Sequence, residues 1–594
     1  MRTIGKFFVG LFATVGFIVI LLIGLTIYGV SHMDTKRDVK PAPDRFVLTL
    51  DFDKGFEEAP EGKGLAAFKF SSHIAFQDAV VALRRAKDDP RVLAIAARIN
   101  DKRIGMARTQ ELRDLIAQFR STGKPAAVFS ESIGEGTGAL SAYYLASAFG
   151  EMWVQPSGTV GVAGIGVEAP FAKKLLERMG LKMSVIKRKE YKSAAETLTE
   201  EAMSPAAREE SEALVNGWYG QMIAGIAADR KLSADAVKAL VDKGPLTAQE
   251  AKEGGLIDHL GYRDEFDAEL TKLAKTDAHV PLSKYAVMAP PAGLPAPTKT
   301  IAVISAVGEI ARSSDDNPLT SDVGIKSAVT SKAIREAVAN KDVNAIILRI
   351  DSPGGSYVGS DTIWREVIRA KDSKKPVIVS MGDVAASGGY FIAMPADYIF
   401  ADAGTVTGSI GVLAGKMVIG GASDKLDIHW DRISAGESAG LFSSTRDFTP
   451  KELERMNQVL DVVYADFTGK AAEGRKLDPE KMEKAARGRV WNGTDALTNG
   501  LIDEIGGFSQ AIDYTKKKLG LSATDTVTML AYPKQQDPWE KIFKALSDDD
   551  VPDSILSAMR VLVQVGHVTA PLQGILSETE ARGPQLRIAP VEAE

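Results

Sequence analysis

The chain has 594 residues, 45% hydrophobic and 25% charged, with 54 Gly and 26 Pro; these ordinary globular proportions exclude wholesale disorder, a collagen-like chain and a polytopic membrane protein. At about 150 residues per domain the length suggests roughly four domain-sized units, enough for cores without covalent staples. Zero cysteines remove disulfides, thiolate-bound zinc, iron–sulfur clusters and a cysteine nucleophile, and a formal charge of −6 gives no reason to expect nucleic acid as a partner.

From Phe7 to Val30 the chain runs FFVGLFATVGFIVILLIGLTIYGV, 24 residues without a charge. That exceeds the ~20 needed to cross a bilayer core, so a single membrane span is predicted. A cleavable signal peptide would have an apolar region of about 7–15 residues ending in an Ala-x-Ala-like site, and this run has neither. Arg2 and Lys6 precede the span and Lys36, Arg37 and Lys40 follow it, so charge does not orient it.

Downstream the chain reads twice. Val92-Leu-Ala-Ile-Ala-Ala-Arg-Ile-Asn100 resembles Val343-Asn-Ala-Ile-Ile-Leu-Arg-Ile-Asp351, each a buried-strand pattern after a helix-like segment, Ile74–Ala86 and Ala333–Ala339. Gly123–Ser130 pairs with Ser373–Ser380, Tyr144 with Tyr390, Thr159-Val160 with Thr405-Val406, and Ala251–Asp258 with Ala496–Asp503. Strands alternating with helices predict parallel α/β units with right-handed crossovers, in two copies of one fold. The proline-rich stretch Met288–Pro297 forbids a regular helix or central strand and reads as a linker. The organisation expected is an anchor at 1–43, repeats at 44–287 and 299–535 joined by 288–298, and a C-terminal region at 536–594. In that last region Trp539–Leu546 and Ile555–Val565 look helical before a polar tail.

Diverged duplicates reveal chemistry by what one copy alone keeps. Only the second has Asp351-Ser-Pro-Gly-Gly355 after its strand; the first has Asn100-Asp-Lys-Arg-Ile104. A Gly-Gly pair there brings amide N–H groups close to a ligand, although a tight turn would also use it. The second device is Gly382-Asp-Val-Ala-Ala-Ser-Gly-Gly-Tyr390, a strand, a sharp turn and a helix start with Ser387 at the turn. Its small neighbours expose the hydroxyl to the free amides of the turn, the logic of a nucleophile elbow without the literal Gly-x-Ser-x-Gly. An isolated serine there is more often a helix cap; beside the first glycine pair it becomes a candidate nucleophile. The first copy keeps Ser141 but replaces both glycines with Ala142 and Tyr143.

A serine nucleophile needs a base. The six histidines, His32, His73, His259, His279, His429 and His567, lie outside both motifs; His429, in Ile-His-Trp-Asp, is the candidate for folding back to Ser387. A lysine with a depressed pKa is the alternative. Lys187, Arg188, Lys189 and Lys192 form the densest cationic stretch of the first half, where mutual repulsion would lower an amine's pKa, although such a run is ordinarily a solvated face. These considerations leave the base open.

The residues Asp351–Gly355, Ala385–Tyr390, Thr407-Gly-Ser-Ile-Gly411 and Glu190-Tyr-Lys-Ser-Ala194 resemble the signatures of the signal peptide peptidase A (protease IV) family in its long, duplicated, membrane-anchored form. The resemblance runs from the N-terminal span to roughly residue 530. It implies two tandem Clp protease/crotonase-like domains, Ser387 as nucleophile, Lys192 as general base, Ser409 holding Lys192, and an oxyanion hole from Gly354, Gly355 and Gly388. It further implies no metal or cofactor, short hydrophobic peptides such as remnant signal peptides as substrates, a homotetramer, and a bacterial inner-membrane protein facing the periplasm. Aligning Met203-Ser-Pro205 with Phe448-Thr-Pro450 sets Lys192 opposite Glu437, so each half lacks what the other keeps. One departure is Lys189, where the family usually has Gly. A crotonase-like acyl-CoA enzyme and a catalytically silent membrane scaffold are the rival readings.

Overall fold

The computed structural model describes residues 43–58, 74–136, 138–291, 296–312 and 324–533, and the backbone of 585–587. The expected span at 7–30 and the expected helices at 539–546 and 555–565 lie outside the described residues. Among the described residues no helix is long and apolar enough to cross a membrane.

In the first repeat β1 (Phe46–Asp51), α1 (Phe76–Asp88), β2 (Val92–Arg98), α2 (Met106–Arg120), β3 (Ala126–Ser130), α3 (Leu140–Ala146) and β4 (Glu151–Val154) alternate along the chain. Then come β5 (Lys182–Lys187), the long α4 (Pro205–Arg230), and short strands β6 (His259–Leu260) and β7 (His279–Pro281). The parallel sheet runs β6–β4–β3–β2–β1–β7.

The second repeat retraces that path. It contains β8 (Lys299–Val307), β9 (Ile310–Ala311), α5 (Ser327–Ala339), β10 (Val343–Ser352), β11 (Gly354–Ser356), α6 (Tyr357–Asp372), β12 (Val377–Ala386) and α7 (Gly388–Ala393). It continues through β13 (Tyr398–Ala401), β14 (Val406–Gly408), β15 (Leu413–Val418), α8 (Pro450–Arg475), β16 (Val490–Asn492), β17 (Glu504–Ile505) and β18 (Val527–Tyr532). Its eight-stranded sheet contains the path β17–β13–β12–β10–β8–β18, which repeats the order of the first sheet, and adds β14 and β16 from the end of β12. β2 is apolar up to Arg98, and β10 is buried almost throughout, polar Arg349 and Ser352 included. The Ser-Pro and Thr-Pro that aligned the repeats are helix starts. Ser204 and Thr449 accept the amides of Ala207 and Glu452, with Pro205 and Pro450 in the first position, where a missing N–H costs nothing.

The repeats are not independent bodies. One hydrophobic cluster includes Phe46, Leu48 and Phe76 together with Ile301, Ile347, Phe400 and Phe508. A third sheet crosses between them: β5 pairs antiparallel with β15, Val185 opposite Gly415 and Lys187 opposite Leu413. On the other edge of β15 a strand from the C-terminal region, β19 (Gln585–Arg587), lies antiparallel between β15 and β11.

A buried ionic knot adds to this. Arg349 on β10 is wholly buried; it donates to Glu58 Oε1 at 2.5 Å, lies 2.7 Å from Glu111 Oε1 on α2, and bonds Ser380 Oγ at 2.8 Å. Its repeat counterpart Arg98 is partly exposed and pairs with Glu131. Burial pushes the Glu111 carboxyl upward, against the pull of the guanidinium. Removing one partner of a buried cluster strands the others, so Arg349→Met should lose about 3–5 kcal/mol of unfolding free energy in denaturant titration; a change within 1 kcal/mol would contradict this reading.

Candidate active site

Ser387 and Ser409 start from neighbouring strands. β12 and β14 pair in parallel up to Ala386 opposite Gly408, and the next residue of each is a serine. The Ser387 amide donates to the Gly408 carbonyl at 2.8 Å, fixing the two turns side by side. Ser387 has φ 55° and ψ −116°, a conformation worth about 1–3 kcal/mol of strain for a residue with a Cβ. α7 begins directly after it, with Phe391 N–H bonded to Ser387 O at 2.8 Å, so the amides of the first turn have no partner within the helix. Ser141, the counterpart in the first repeat, lies inside α3 with no such turn.

The glycine turns lie against each other. A Cβ on Gly388 would lie 2.6 Å from Ser360 Oγ and 3.2 Å from both Gly354 Cα and Gly355 N. Any side chain at Gly388 would fill the place where the two backbones meet. Of the expected donors, Gly354 is already engaged, its amide 3.2 Å from Ser352 Oγ. Asp351 ties the two turns, its Oδ1 accepting Val384 N–H at 2.9 Å. Next to it Asp383 is ion-paired with Arg108, at the start of α2 in the first repeat.

Lys192 reaches this point from the other repeat. The pairing of β5 with β15 is extended by Arg188 N–H to Val412 O at 2.9 Å. Three members of the cationic stretch then find carboxylates: Lys187 with Glu196 at 3.0 Å, Arg188 with Asp461 on α8 at 2.6 Å, and Lys189 with Glu483 at 2.7 Å. Lys189, the residue in place of glycine, takes φ 67°, the left-handed conformation glycine would adopt freely. Lys192 alone turns inward, with 1% of its surface exposed. Its Nζ lies 2.8 Å from Ser387 Oγ, 2.9 Å from Ser409 Oγ and 3.1 Å from Ser409 O. Gly488, with φ 81°, leaves the room: a Cβ there would be 2.6 Å from Lys192 N.

Burial lowers the Lys192 pKa to about 7, while the carboxylate of Glu210 pulls it back upward. The expected cause, repulsion among the cations of the stretch, is therefore replaced by desolvation. The other cations are neutralised at the surface. Among the described residues no histidine is a hydrogen-bonding partner of Ser387: His429 is exposed in a loop, and His259 pairs with Glu151 and stacks on Trp153, while His32, His73 and His567 lie outside the described residues. Glu437, aligned with Lys192, is likewise exposed and paired with Lys451. Sequence reasoning missed Glu210 and Gly488, neither of which lies in a motif; a repeat comparison at position 210 would have flagged the first.

A hydroxyl on a strained strand-to-helix turn, facing a buried amine and adjoining backbone amides, defines the class of hydrolases with a serine nucleophile. The sequence model of peptidase family S49 matches residues 118–277 and 369–522, one segment in each repeat. The chain is 32% identical over 469 residues to the chloroplastic serine protease SPPA of Arabidopsis thaliana, covering 78% of this chain and 68% of that one. It is 33% identical over 450 residues to Protease 4 of Salmonella typhi, covering 73% and 70%, and 30% identical over 462 residues to Protease 4 of Haemophilus influenzae, covering 73% and 72%. The chain belongs to peptidase family S49 and is a serine peptidase of the SppA type.

The depressed Lys192 pKa has a consequence for stability. The folded value lies below the unfolded 10.5, so the burial penalty is fully present below about pH 7 and fades as the pH rises towards 10.5. Between about pH 7 and 10 the unfolding free energy of wild type should therefore gain on that of Lys192→Met by about 1.4 kcal/mol per pH unit. Parallel stability curves for the two proteins would show that the amine is not desolvated.

Proposed function

We propose that this chain is a membrane-anchored serine endopeptidase in which Ser387 attacks the peptide carbonyl and Lys192 is the general base. The observation that carries this reading is the buried 2.8 Å contact between Lys192 Nζ and Ser387 Oγ. A neutral amine has one lone pair and two N–H groups. The lone pair takes the Ser387 proton, while the two N–H groups point to the oxygens of Ser409, which holds the base in register.

As Ser387 Oγ bonds to the carbonyl carbon, its proton moves to Lys192 Nζ and the carbonyl oxygen becomes an oxyanion. The amides of Gly388 and Gly355 are the proposed donors, each worth about 2.7–4 kcal/mol in such a site. Gly354, whose amide is bonded to Ser352, shapes the turn. Lys192 ammonium next protonates the leaving amine, breaking the C–N bond and leaving the acyl group on Ser387. A water then gives its proton to Lys192, attacks the ester, and Ser387 recovers its proton as the acid departs. No step calls for a metal or organic cofactor.

A peptide would lie as a strand between β11 and β15. That place accepts extended backbone, since β19 of this same chain occupies it, with Leu586 opposite Gly355 and Gln585 opposite both Ser356 and Leu413. Main-chain pairing of this kind supplies affinity with little sequence demand. Remnant signal peptides and other short hydrophobic peptides are the proposed substrates. Residues 7–30 are the proposed anchor in a bacterial inner membrane, with the two repeats on the periplasmic side and four copies in the working assembly.

Peptide hydrolysis by Ser387→Ala and Lys192→Ala should fall by about 10³-fold or more; activity retained by either would defeat the assignment. kcat/KM should rise with pH through about 7 as Lys192 loses its proton. A chain ending at residue 584, lacking β19, should show a lower KM for peptides at unchanged kcat, and an unchanged KM would mean that peptides bind elsewhere.

A further inference from the structure

Glu210 is a buried acid that the mechanism does not use. It lies on α4, with Oε1 accepting from Ser193 Oγ at 2.5 Å and Oε2 accepting from Val490 N–H at 3.3 Å. Ser193 is the residue after Lys192. Val490 on β16 lies opposite Gly408, the residue before Ser409, and the Ser409 amide donates to Arg489 O at 2.7 Å. One carboxyl of the first repeat therefore joins the lysine-bearing segment to the strand pair that carries Ser409. Lys192, Glu210, Ser409, Gly488 and Val490 also line a single cavity of about 80 Å³, whose remaining walls, such as Leu214 and Phe171, are largely apolar.

The repeat shows that this acid is not required to build the fold. α4 and α8 each have 26 residues and start at equivalent prolines, so Glu210 corresponds to Arg455. Arg455 is exposed and bonds Gln458 on its own helix. A buried acid stands at this position only in the half that carries the lysine.

We propose that Glu210 is a positioning residue for the Ser387–Lys192 pair, clamping the lysine and Ser409 segments together and setting, through its own charge, the pH at which Lys192 becomes a base. This rests on the reading of Lys192 as the base. Burial raises the Glu210 carboxyl to about 7, opposed by its bonds to Ser193 and Val490 and by the Lys192 and Arg489 charges. Of the surrounding charged groups, Arg489 is paired with Glu209 and also bonds Tyr191 Oη, Glu196 is paired with Lys187, and Arg487 is paired with Glu190. Lys192 and Glu210 are the members of this group without a charged hydrogen-bonding partner among the described contacts, and the charge of each favours the charged form of the other. An ionised Glu210 holds the proton on Lys192; a protonated Glu210 releases it. At neutral pH the productive state is neutral amine beside neutral acid, with the acid's oxygens still accepting from Ser193 and Val490.

The test is the pH dependence of kcat/KM for peptide hydrolysis by the full-length protein. Glu210→Gln keeps an acceptor oxygen and removes the charge, so its acidic limb should move to lower pH by about one unit, with plateau kcat within about threefold of wild type. Ser193→Ala removes a bond that favours the carboxylate, and should move the limb the same way by less; it also serves if Glu210→Gln does not fold. Glu210→Ala should lower plateau kcat about tenfold or more, with KM changed less. Acidic limbs of Glu210→Gln and Ser193→Ala that coincide with wild type, while Lys192→Ala is inactive, would overturn this inference and leave the Ser387–Lys192 assignment standing. Wild-type activity in Lys192→Ala would overturn both.

Discussion

The site depends on one amine kept out of water. A lysine at the surface is charged at neutral pH and cannot accept a proton. Lys192 is enclosed by two hydroxyls, a carbonyl and a nearby buried acid, and burial lowers its pKa to about 7 while the charge of Glu210 pulls it back upward. Desolvating an amine is costly, and the cost is carried by the packing of two repeats around it. The shared core, the β5–β15 pairing and the Arg349 knot thus bear on chemistry as well as on stability.

That cost also explains why the two repeats diverged as they did. The glycine-rich turns and the strained serine belong to the second repeat; the lysine arm and its acid belong to the first. A buried lysine in the second repeat, or glycine turns in the first, would carry the same strain and desolvation without a partner. In the first repeat Ser141 lies within a helix, and in the second Glu437 is exposed and paired with Lys451.

Much of the fold was legible because parallel strands covered on both faces give unbroken apolar runs, and because the same runs occur twice. The strand orders match across the repeats as the duplication implied. Boundaries were less legible. The helix read as Ala333–Ala339 begins at Ser327, since Ser327, Thr330 and Ser331 are polar yet buried and so break the apolar pattern. The Gly-Gly turns were legible from composition, whereas the engaged Gly354 amide was not, because Ser352 accepts it through a rotamer that sequence does not specify. Lys192 was singled out by family resemblance; residue chemistry alone left it among its cationic neighbours.

The sequence by itself determined the duplication, the alternation of strand and helix, the two glycine turns and the serine between them, because these depend on local backbone preference and on which stretches must leave water. Only the tertiary structure decided which cation loses its hydration, which acid stands beside it, and how two distant segments come within hydrogen-bonding distance. Charge state is a property of surroundings. Of four neighbouring cations, three end in ion pairs, Arg188 and Lys189 with carboxylates of the other repeat, and only Lys192 is buried where the two repeats meet.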